Sequence, residues 1–369
     1  MTLTIDWWEC HPLHLRYHRS MRWASMEESG ADYLLLVLHT SDGHRGVAEA
    51  AVRLAWSGFS MGALVTVLEE VVLPRLKGLD VSDGEATERA LSRIPEHSLA
   101  KSVADAACWD LRAQAAGVPL WKLLGGRQTV PVSWILTRQA PEIMAEEAAR
   151  ITGEHGIRTL KLKTGQGLET DRKMLGLVRQ AVGDGTMLYA DANSYYAPED
   201  IVAYTALLKE SGCVMSEDPC ALMPDEPGRL VREASSVPIM IDKYCRNFFQ
   251  AQVFLDWGAE AVSVKYSKSG ISESRRILAH ADSAGAEAPI GLSGNSALGS
   301  LASLSLAATR PQGGTRLPTE ESFFLQLAED YIAEPLRIVD GAVTLPDAAG
   351  AADLIDWDKL ESVKTAAAL

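Results

Sequence analysis

Five ionisable residues recur along the middle of the chain at a nearly constant interval: Lys163, Asp191, Glu217, Asp242 and Lys265, separated by 28, 26, 25 and 23 residues. Each closes a short apolar run, at 159–163, 187–191, 214–217, 238–242 and 261–265. Three carboxylates on successive strand ends are hard oxygen donors suited to Mg²⁺, with Mn²⁺ as a substitute. One Asp after a strand commonly caps the next helix. Three carboxylates converging in register would repel one another without a shared cation, so Asp191, Glu217 and Asp242 are the expected metal ligands. Asp218, next to Glu217, is expected on the other side of its strand as a structural group.

Lys161 and Lys163 sit two apart in a strand and so leave from the same face. Two ammonium groups that close disfavour each other's charge, which predicts a lowered pKa for one of them. Lys265, on the sixth of eight strands, stands opposite Lys163 on the second. A substrate carboxylate held by the metal between them would have a base on either side of its α-carbon. The cation would stabilise the enediolate that forms when the α-proton leaves. Asn193, two residues after Asp191, shares that ligand's face and is expected to orient a ligand or a lysine.

The elements that must position these groups follow from the same period. Apolar runs alternating with stretches of helical spacing describe βα units and a parallel sheet. With 131–136 as the first strand, 289–292 as the seventh and 314–317 as the eighth, the fold class is α/β. The expected architecture is a TIM-like barrel over residues 127–335, whose chemistry lies at the C-terminal ends of its strands. Residues 1–126 follow a different pattern. Runs at 33–39 and 47–52 flank the turn signal Asp42-Gly43, and helical spacing follows at 61–76 and 99–116 before Gly117. That combination is an α+β capping domain. The tail 336–369 carries another hairpin signal, Asp340-Gly341, and is expected to return to the cap.

A chain of 369 residues with a formal charge of −14 and no basic patch argues against nucleic acid or an anionic membrane as partner. Five scattered cysteines in mainly apolar surroundings suggest reduced core thiols. The start lacks the basic and apolar regions of a signal peptide, and no apolar run reaches membrane-spanning length. The expectation is a cytoplasmic homo-oligomer acting on a small-molecule carboxylate.

At these residues the chain resembles the enolase superfamily, and within it the muconate lactonizing enzyme subgroup, related to mandelate racemase. The resemblance covers nearly the whole chain. It is carried by Ser102 to Asp110, Gly117 to Gly126, Lys161-Leu-Lys163, Asp191-Ala-Asn193, Glu217-Asp-Pro219, Asp242, and Lys265 followed by Ser269-Gly-Ile271. It implies a capping domain on a (β/α)7β barrel, Mg²⁺ on Asp191, Glu217 and Asp242, and Lys163 and Lys265 as an acid/base pair. Lys161 would support Lys163 and help to hold the carboxylate. Three features depart from the subgroup: Lys243 stands where an acidic residue is common, Gly270 replaces a glycine pair, and residues 348–352 replace a Pro-Gly-rich turn.

Specificity in this fold comes from loops over the barrel mouth. The candidate here is a mobile loop at 18–26, with Arg22 to meet a second anion and Trp23, Trp56 or Phe59 to cover apolar substrate. Ser293, Asn295, Glu320 and Glu321 are further candidates for the pocket. The expected reaction is racemisation or epimerisation of a carboxylic or amino-acid derivative. Cycloisomerisation and dehydration share its first half. A non-catalytic binding protein would have shed a ligand or a base, and a Schiff-base lyase would not need three carboxylates.

Overall fold

The computed structural model describes residues 2–23, 26–311 and 316–365. The first three strands, β1 (Ile5–Arg22), β2 (Glu27–Thr40) and β3 (Arg45–Val52), form an antiparallel sheet in that order. β2 turns into β3 at Asp42-Gly43, where Gly43 takes a φ of +93°. The long helix Ser98–Ala115 packs on this sheet with most of its side chains buried. Contact is closest at Gly46, where a Cβ would lie 2.3 Å from the Ala107 carbonyl oxygen and 2.4 Å from Leu111. Gly46→Ala should therefore destabilise the protein by about 1–3 kcal/mol through overpacking. A lowered urea midpoint would show it; an unchanged midpoint would mean that the helix can move away from the sheet at no cost.

Much of the stretch expected as a mobile loop, residues 18–26, is strand: 18–22 belong to β1. Strand pairing continues to Arg22 opposite Glu27, and the Trp23 amide donates to the Met26 carbonyl at 2.9 Å. Ala24 and Ser25 lie outside the described residues. The strand is hard to recognise in sequence because its alternation of buried Leu13, Leu15 and Tyr17 is interleaved with Pro and His.

β4 (Thr129–Pro131) and β5 (Trp134–Leu136) occupy the stretch expected to be the first barrel strand. Only β5 joins the barrel. Pro131 has no N–H to give to a central ladder. β4 pairs instead with β12 (Ala342–Thr344), which forms a hairpin with β11 (Ile338–Val339). The tail hairpin thus sits beside the start of the barrel, while Lys364 further on bridges Leu13 of β1 in the cap.

The barrel sheet runs in the order β5, β6 (Thr159–Lys163), β7 (Met187–Asp191), β8 (Cys213–Glu217), β9 (Ile239–Ile241), β10 (Ala261–Val262), all parallel. Single bridges complete the circle: Val264 with Ile290, and Thr319 with Val132. The eighth position is thus at Thr319 rather than 314–317; Arg316 and Leu317 make no ladder, and Gly314 and Thr315 lie outside the described residues. Pairing starts only after Pro318, with the Ser133 amide donating to Thr319 O and the Glu320 amide to Ile290 O. Barrel helices such as Pro141–His155, Leu168–Val182 and Tyr266–Ala284 connect the strands. All five cysteines are free, four of them buried. Among the described residues no helix is long and apolar enough to cross a membrane.

Candidate active site

Register places the ionisable groups side by side. Lys163 pairs with Asp191 across β6 and β7, and Asp191 with Glu217 across β7 and β8, so these three lie on one level. Asp242 follows the end of β9 by one residue, and Lys265 immediately precedes the helix Tyr266–Ala284. Gly291 leaves room for the Lys265 side chain, since a Cβ there would come within 2.6 Å of its Cε.

Each outer lysine is bonded to its own carboxylate. Lys163 Nζ donates to Asp191 Oδ2 at 2.5 Å and to Asn193 Oδ1 at 3.4 Å, and Lys265 Nζ donates to Asp242 Oδ2 at 2.8 Å. Asn193 also anchors the ligand side, its backbone N–H donating to Asp191 Oδ1 at 2.8 Å. Lys161 is 1% exposed and lies 2.6 Å from Glu217 Oε2, 2.9 Å from Glu320 Oε1 and 3.2 Å from Asp191 Oδ2.

Of the two neighbouring lysines, Lys161 is not one with a lowered pKa. Burial opposes its charge, but Glu217, Glu320 and Asp191 outweigh that and hold the ammonium well above its ordinary pKa. For Lys265 burial likewise opposes the charge, yet Asp242 raises its pKa. The carboxylates show the reciprocal effect. Burial would raise Asp191 and Asp242, but Lys163 with Lys161, and Lys265 with Lys268, keep them below the usual carboxylate range.

Glu217 is the exception. Burial and the neighbouring Asp191 push its pKa well above the ordinary value. Both its oxygens are buried and neither receives a hydrogen bond, despite the closeness of Lys161. A buried carboxylate that has the Lys161 ammonium at 2.6 Å and other hard oxygen donors beside it keeps lone pairs that a divalent cation can complete. Oxygens of Glu217, Asp218 and Asp242 all lie within 4.8 Å of one another. Asp218 belongs to that cluster by position, but its oxygens accept from the amides of Asp242 at 3.2 Å and Lys243 at 2.8 Å. It braces the backbone that carries Asp242. Asp191, turned onto Lys163, is not one of that group of three.

Lys268 escapes notice in the sequence although its Nζ donates to Asp242 Oδ1 at 2.8 Å. The only signal for it was its place three residues after Lys265, one turn into the following helix. The Lys243 side chain is exposed, with its ammonium 5.6 Å from the Tyr244 ring.

The cap closes over one side of this site. Trp23 is 5% exposed, packs against Trp56 and Phe323, and donates from Nε1 to Glu28 Oε2 at 3.0 Å. Glu28 is held in turn by Arg53 Nε at 3.2 Å, while Arg53 Nη1 donates to the Ser293 carbonyl at 3.2 Å and Nη2 to Tyr17 OH at 2.6 Å. The Arg53 guanidinium lies 5.0 Å from the Trp56 ring centre. The sequence hints at Arg53 only by an arginine directly after the apolar run 47–52, and gives no sign of Glu28. Arg22 is exposed, and among the described residues its side chain has no ion-pair or hydrogen-bond partner. The Ser293 hydroxyl pairs with that of Ser267 at 2.6 Å. Asn295 joins a buried network instead, donating to Glu321 Oε1 at 3.2 Å. Glu320 does reach the centre: besides Lys161 it accepts from Tyr189 OH at 2.8 Å and from the Leu292 amide at 2.8 Å.

The chain matches two family profiles: the mandelate racemase / muconate lactonizing enzyme N-terminal domain over residues 7–125, and the enolase C-terminal domain-like family over residues 143–359. It is 36% identical to N-succinylamino acid racemase of Thermus thermophilus over 292 residues, 77% of this chain and 76% of that protein. It is 27% identical to muconate cycloisomerase 1 of Rhodococcus opacus over 355 residues, 93% of this chain and 94% of the relative. Among solved structures, 2-chloromuconate cycloisomerase from Rhodococcus opacus 1CP superposes with a TM-score of 0.90 at 25% identity, covering 98% of this chain and 100% of that one. A dipeptide epimerase from Cytophaga hutchinsonii, complexed with Mg and D-Ala-L-Val, superposes with a TM-score of 0.84 at 25% identity, covering 95% of each chain.

Proposed function

The chain belongs to the mandelate racemase and muconate lactonizing enzyme family of the enolase superfamily, and from that premise we propose that it removes the proton α to the carboxylate of a small substrate, with Lys163 serving one face of the carbon and Lys265 the other. Asp191, Glu217 and Asp242 would hold Mg²⁺, or Mn²⁺ in its place. When bound, the cation supplies positive charge to the substrate carboxylate and so acidifies the neighbouring C–H. The observation that carries this reading is the level ladder Lys163–Asp191–Glu217, with Lys265 bonded to Asp242 on the other side.

The chain's own residues then divide the work. Lys161 places a permanent positive charge beside Glu217 and Asp191, where a substrate carboxylate would arrive. Asn193 and Asp191 aim the Lys163 amine, while Asp242 aims that of Lys265. Trp23 excludes water from the cap side. The outer lysines are equally exposed, 13% each at the side chain, and each has one carboxylate partner. That symmetry favours a proton returned on the face opposite to the one that lost it, hence racemisation or epimerisation of an amino-acid derivative. Cycloisomerisation is the second reading, favoured by likeness to muconate cycloisomerase 1 along 93% of this chain.

The test is α-proton exchange in D2O with Mg²⁺, followed by NMR over N-acylamino acids, dipeptides and cis,cis-muconate. Racemase activity predicts exchange with both enantiomers of one amino-acid derivative. Lactonisation of muconate without such exchange would select the second reading. Trp23→Ala should raise KM for the best substrate by about tenfold, the loss of one aromatic contact. Unchanged kinetics would reduce Trp23 to packing.

A further inference from the structure

We propose that the cap holds the turn that presents Lys265, and that Asp105, on the cap helix Ser98–Ala115, is a positioning residue for that lysine and not for Lys163. This rests on the two-base half-reaction proposed above. The two lysines stand on unequal backbones. Lys163 closes a five-residue strand paired with β5 on one side and β7 on the other, and the ladder reaches Lys163 itself, opposite Asp191. Lys265 lies three residues beyond the end of β10, a strand of two residues. The last sheet contact before it is the bridge between Val264 and Ile290.

Support for Lys265 comes instead from the helix that follows and from the cap. The helix Tyr266–Ala284 is broken at Gly270, where φ is +72°. The turn at 266–269 thus stands apart from the longer piece beyond it, whose first amides need acceptors from elsewhere. Asp105 supplies them from the cap: Oδ2 accepts from the Ser272 backbone N–H at 2.9 Å and Oδ1 from the Ser272 hydroxyl at 2.6 Å. That is the work of a helix cap, done by a residue 167 positions away in the chain. Trp109, one turn further along the cap helix, donates from Nε1 to the same hydroxyl at 2.8 Å. Only glycine fits the break, since a Cβ at position 270 would lie 2.8 Å from Asp105 Oδ2. Asp105 is 3% exposed, so its oxygens are committed to this helix start.

From there the contacts run back to the lysine. The Ser274 hydroxyl donates to the Gly270 carbonyl at 2.5 Å and the Ser269 hydroxyl to the Lys265 carbonyl at 3.3 Å, the two hydroxyls lying 2.9 Å apart. One turn of helix therefore separates the cap's grip from the residue whose amine reaches Asp242. The cap holds the near end as well, the Tyr266 hydroxyl donating to the Glu49 carbonyl of β3 at 2.7 Å. A turn held at both ends by the cap keeps the Lys265 amine where proton transfer needs it, and a displacement of about 1 Å costs up to roughly a hundredfold in rate.

The measurement is α-proton exchange in D2O by the Mg²⁺-loaded protein, with the D and L enantiomers of N-acetylphenylalanine and of N-succinylphenylalanine followed separately. Lys265→Ala identifies the enantiomer that Lys265 deprotonates. For that enantiomer Asp105→Ala should lower kcat about tenfold or more with KM changed less than about twofold, while exchange of the other enantiomer stays within about twofold of wild type. Asp105→Asn keeps an oxygen for the Ser272 N–H and should restore at least about half of the wild-type kcat. Ser272→Ala removes only the hydroxyl contact and should show the same one-sided loss at about threefold, which decides the question if Asp105→Ala does not fold. Equal slowing of both enantiomers, as a general loss of folded protein would give, overturns the inference. Slowing of neither overturns it too, as does an Asp105→Asn variant as slow as Asp105→Ala. Exchange by the wild type with none of these compounds overturns the proposed half-reaction for amino-acid derivatives, and this inference with it. Wild-type exchange with two-sided losses in the variants leaves the half-reaction standing, so the two failures are distinct.

Discussion

Exhaustive chelation should lower catalysed α-proton exchange by about a thousandfold or more, and Mg²⁺ or Mn²⁺ should restore it. Lewis-acid stabilisation contributes several kcal/mol to such a transition state, and every 1.4 kcal/mol is about tenfold in rate. The structural ground is Glu217, buried beside oxygens of Asp218 and Asp242, with the Lys161 ammonium close to Oε2 and oxygen lone pairs left for a cation. A cation bound there would also stabilise the fold by mass action, so the melting temperature should rise with Mg²⁺ concentration. Glu217→Gln should abolish both the activity and the Mg²⁺-dependent shift in melting. Full activity in rigorously metal-free protein would remove metal-assisted proton abstraction from consideration.

The second large effect concerns the lysine pair. Lys163→Ala should retain exchange with one enantiomer of the substrate and lose it with the other, and Lys265→Ala should do the reverse. Each variant should lose overall racemisation by at least about a hundredfold, the usual contribution of a positioned acid or base. The geometry behind this is the separation of the two amines by the carboxylates on the intervening strands. Lys163 is fixed on Asp191 and Asn193, and Lys265 on Asp242. A cycloisomerase would respond differently: one substitution would end exchange altogether, and the other would mainly slow turnover. If both variants kept near-wild-type turnover, neither amine would be a base.

Lys161→Ala is expected to behave differently from either. Its ammonium lies between three carboxylates and is held far above its ordinary pKa by them once burial is overcome. Its removal would leave Glu217 and Glu320 buried without their counter-charge, so loss of stability should accompany loss of activity. Arginine would not substitute well, because a planar guanidinium does not fit where three carboxylates converge on one nitrogen.

Much of the site was legible in the sequence because strand ends are set locally. An apolar run in β6, β7, β8 or β9 fixes where each strand stops, and the period of the βα unit brings those stops to one face of a barrel. Hence Lys163, Asp191, Glu217, Asp242 and Lys265 could be named, and parallel register alone aligned the first three. What only the tertiary structure decided involves partners distant in the chain. Lys161 meets Glu320 from 159 residues away, and with Glu217 and Asp191 that carboxylate raises its pKa in spite of the neighbouring Lys163 and of burial. The eighth strand position moved to Thr319, where the Thr319 carbonyl accepts from the Ser133 amide and the Glu320 amide donates to Ile290 O across the closing seam. Trp23 is held against Phe323 through its bond to Glu28, the Glu28–Arg53 contact and the extension of Arg53 to Ser293, 240 residues away. Local patterning determines where a side chain leaves the backbone, whereas its charge state, its partners and the pocket it faces come from long-range packing, which no spacing of residues along the chain encodes.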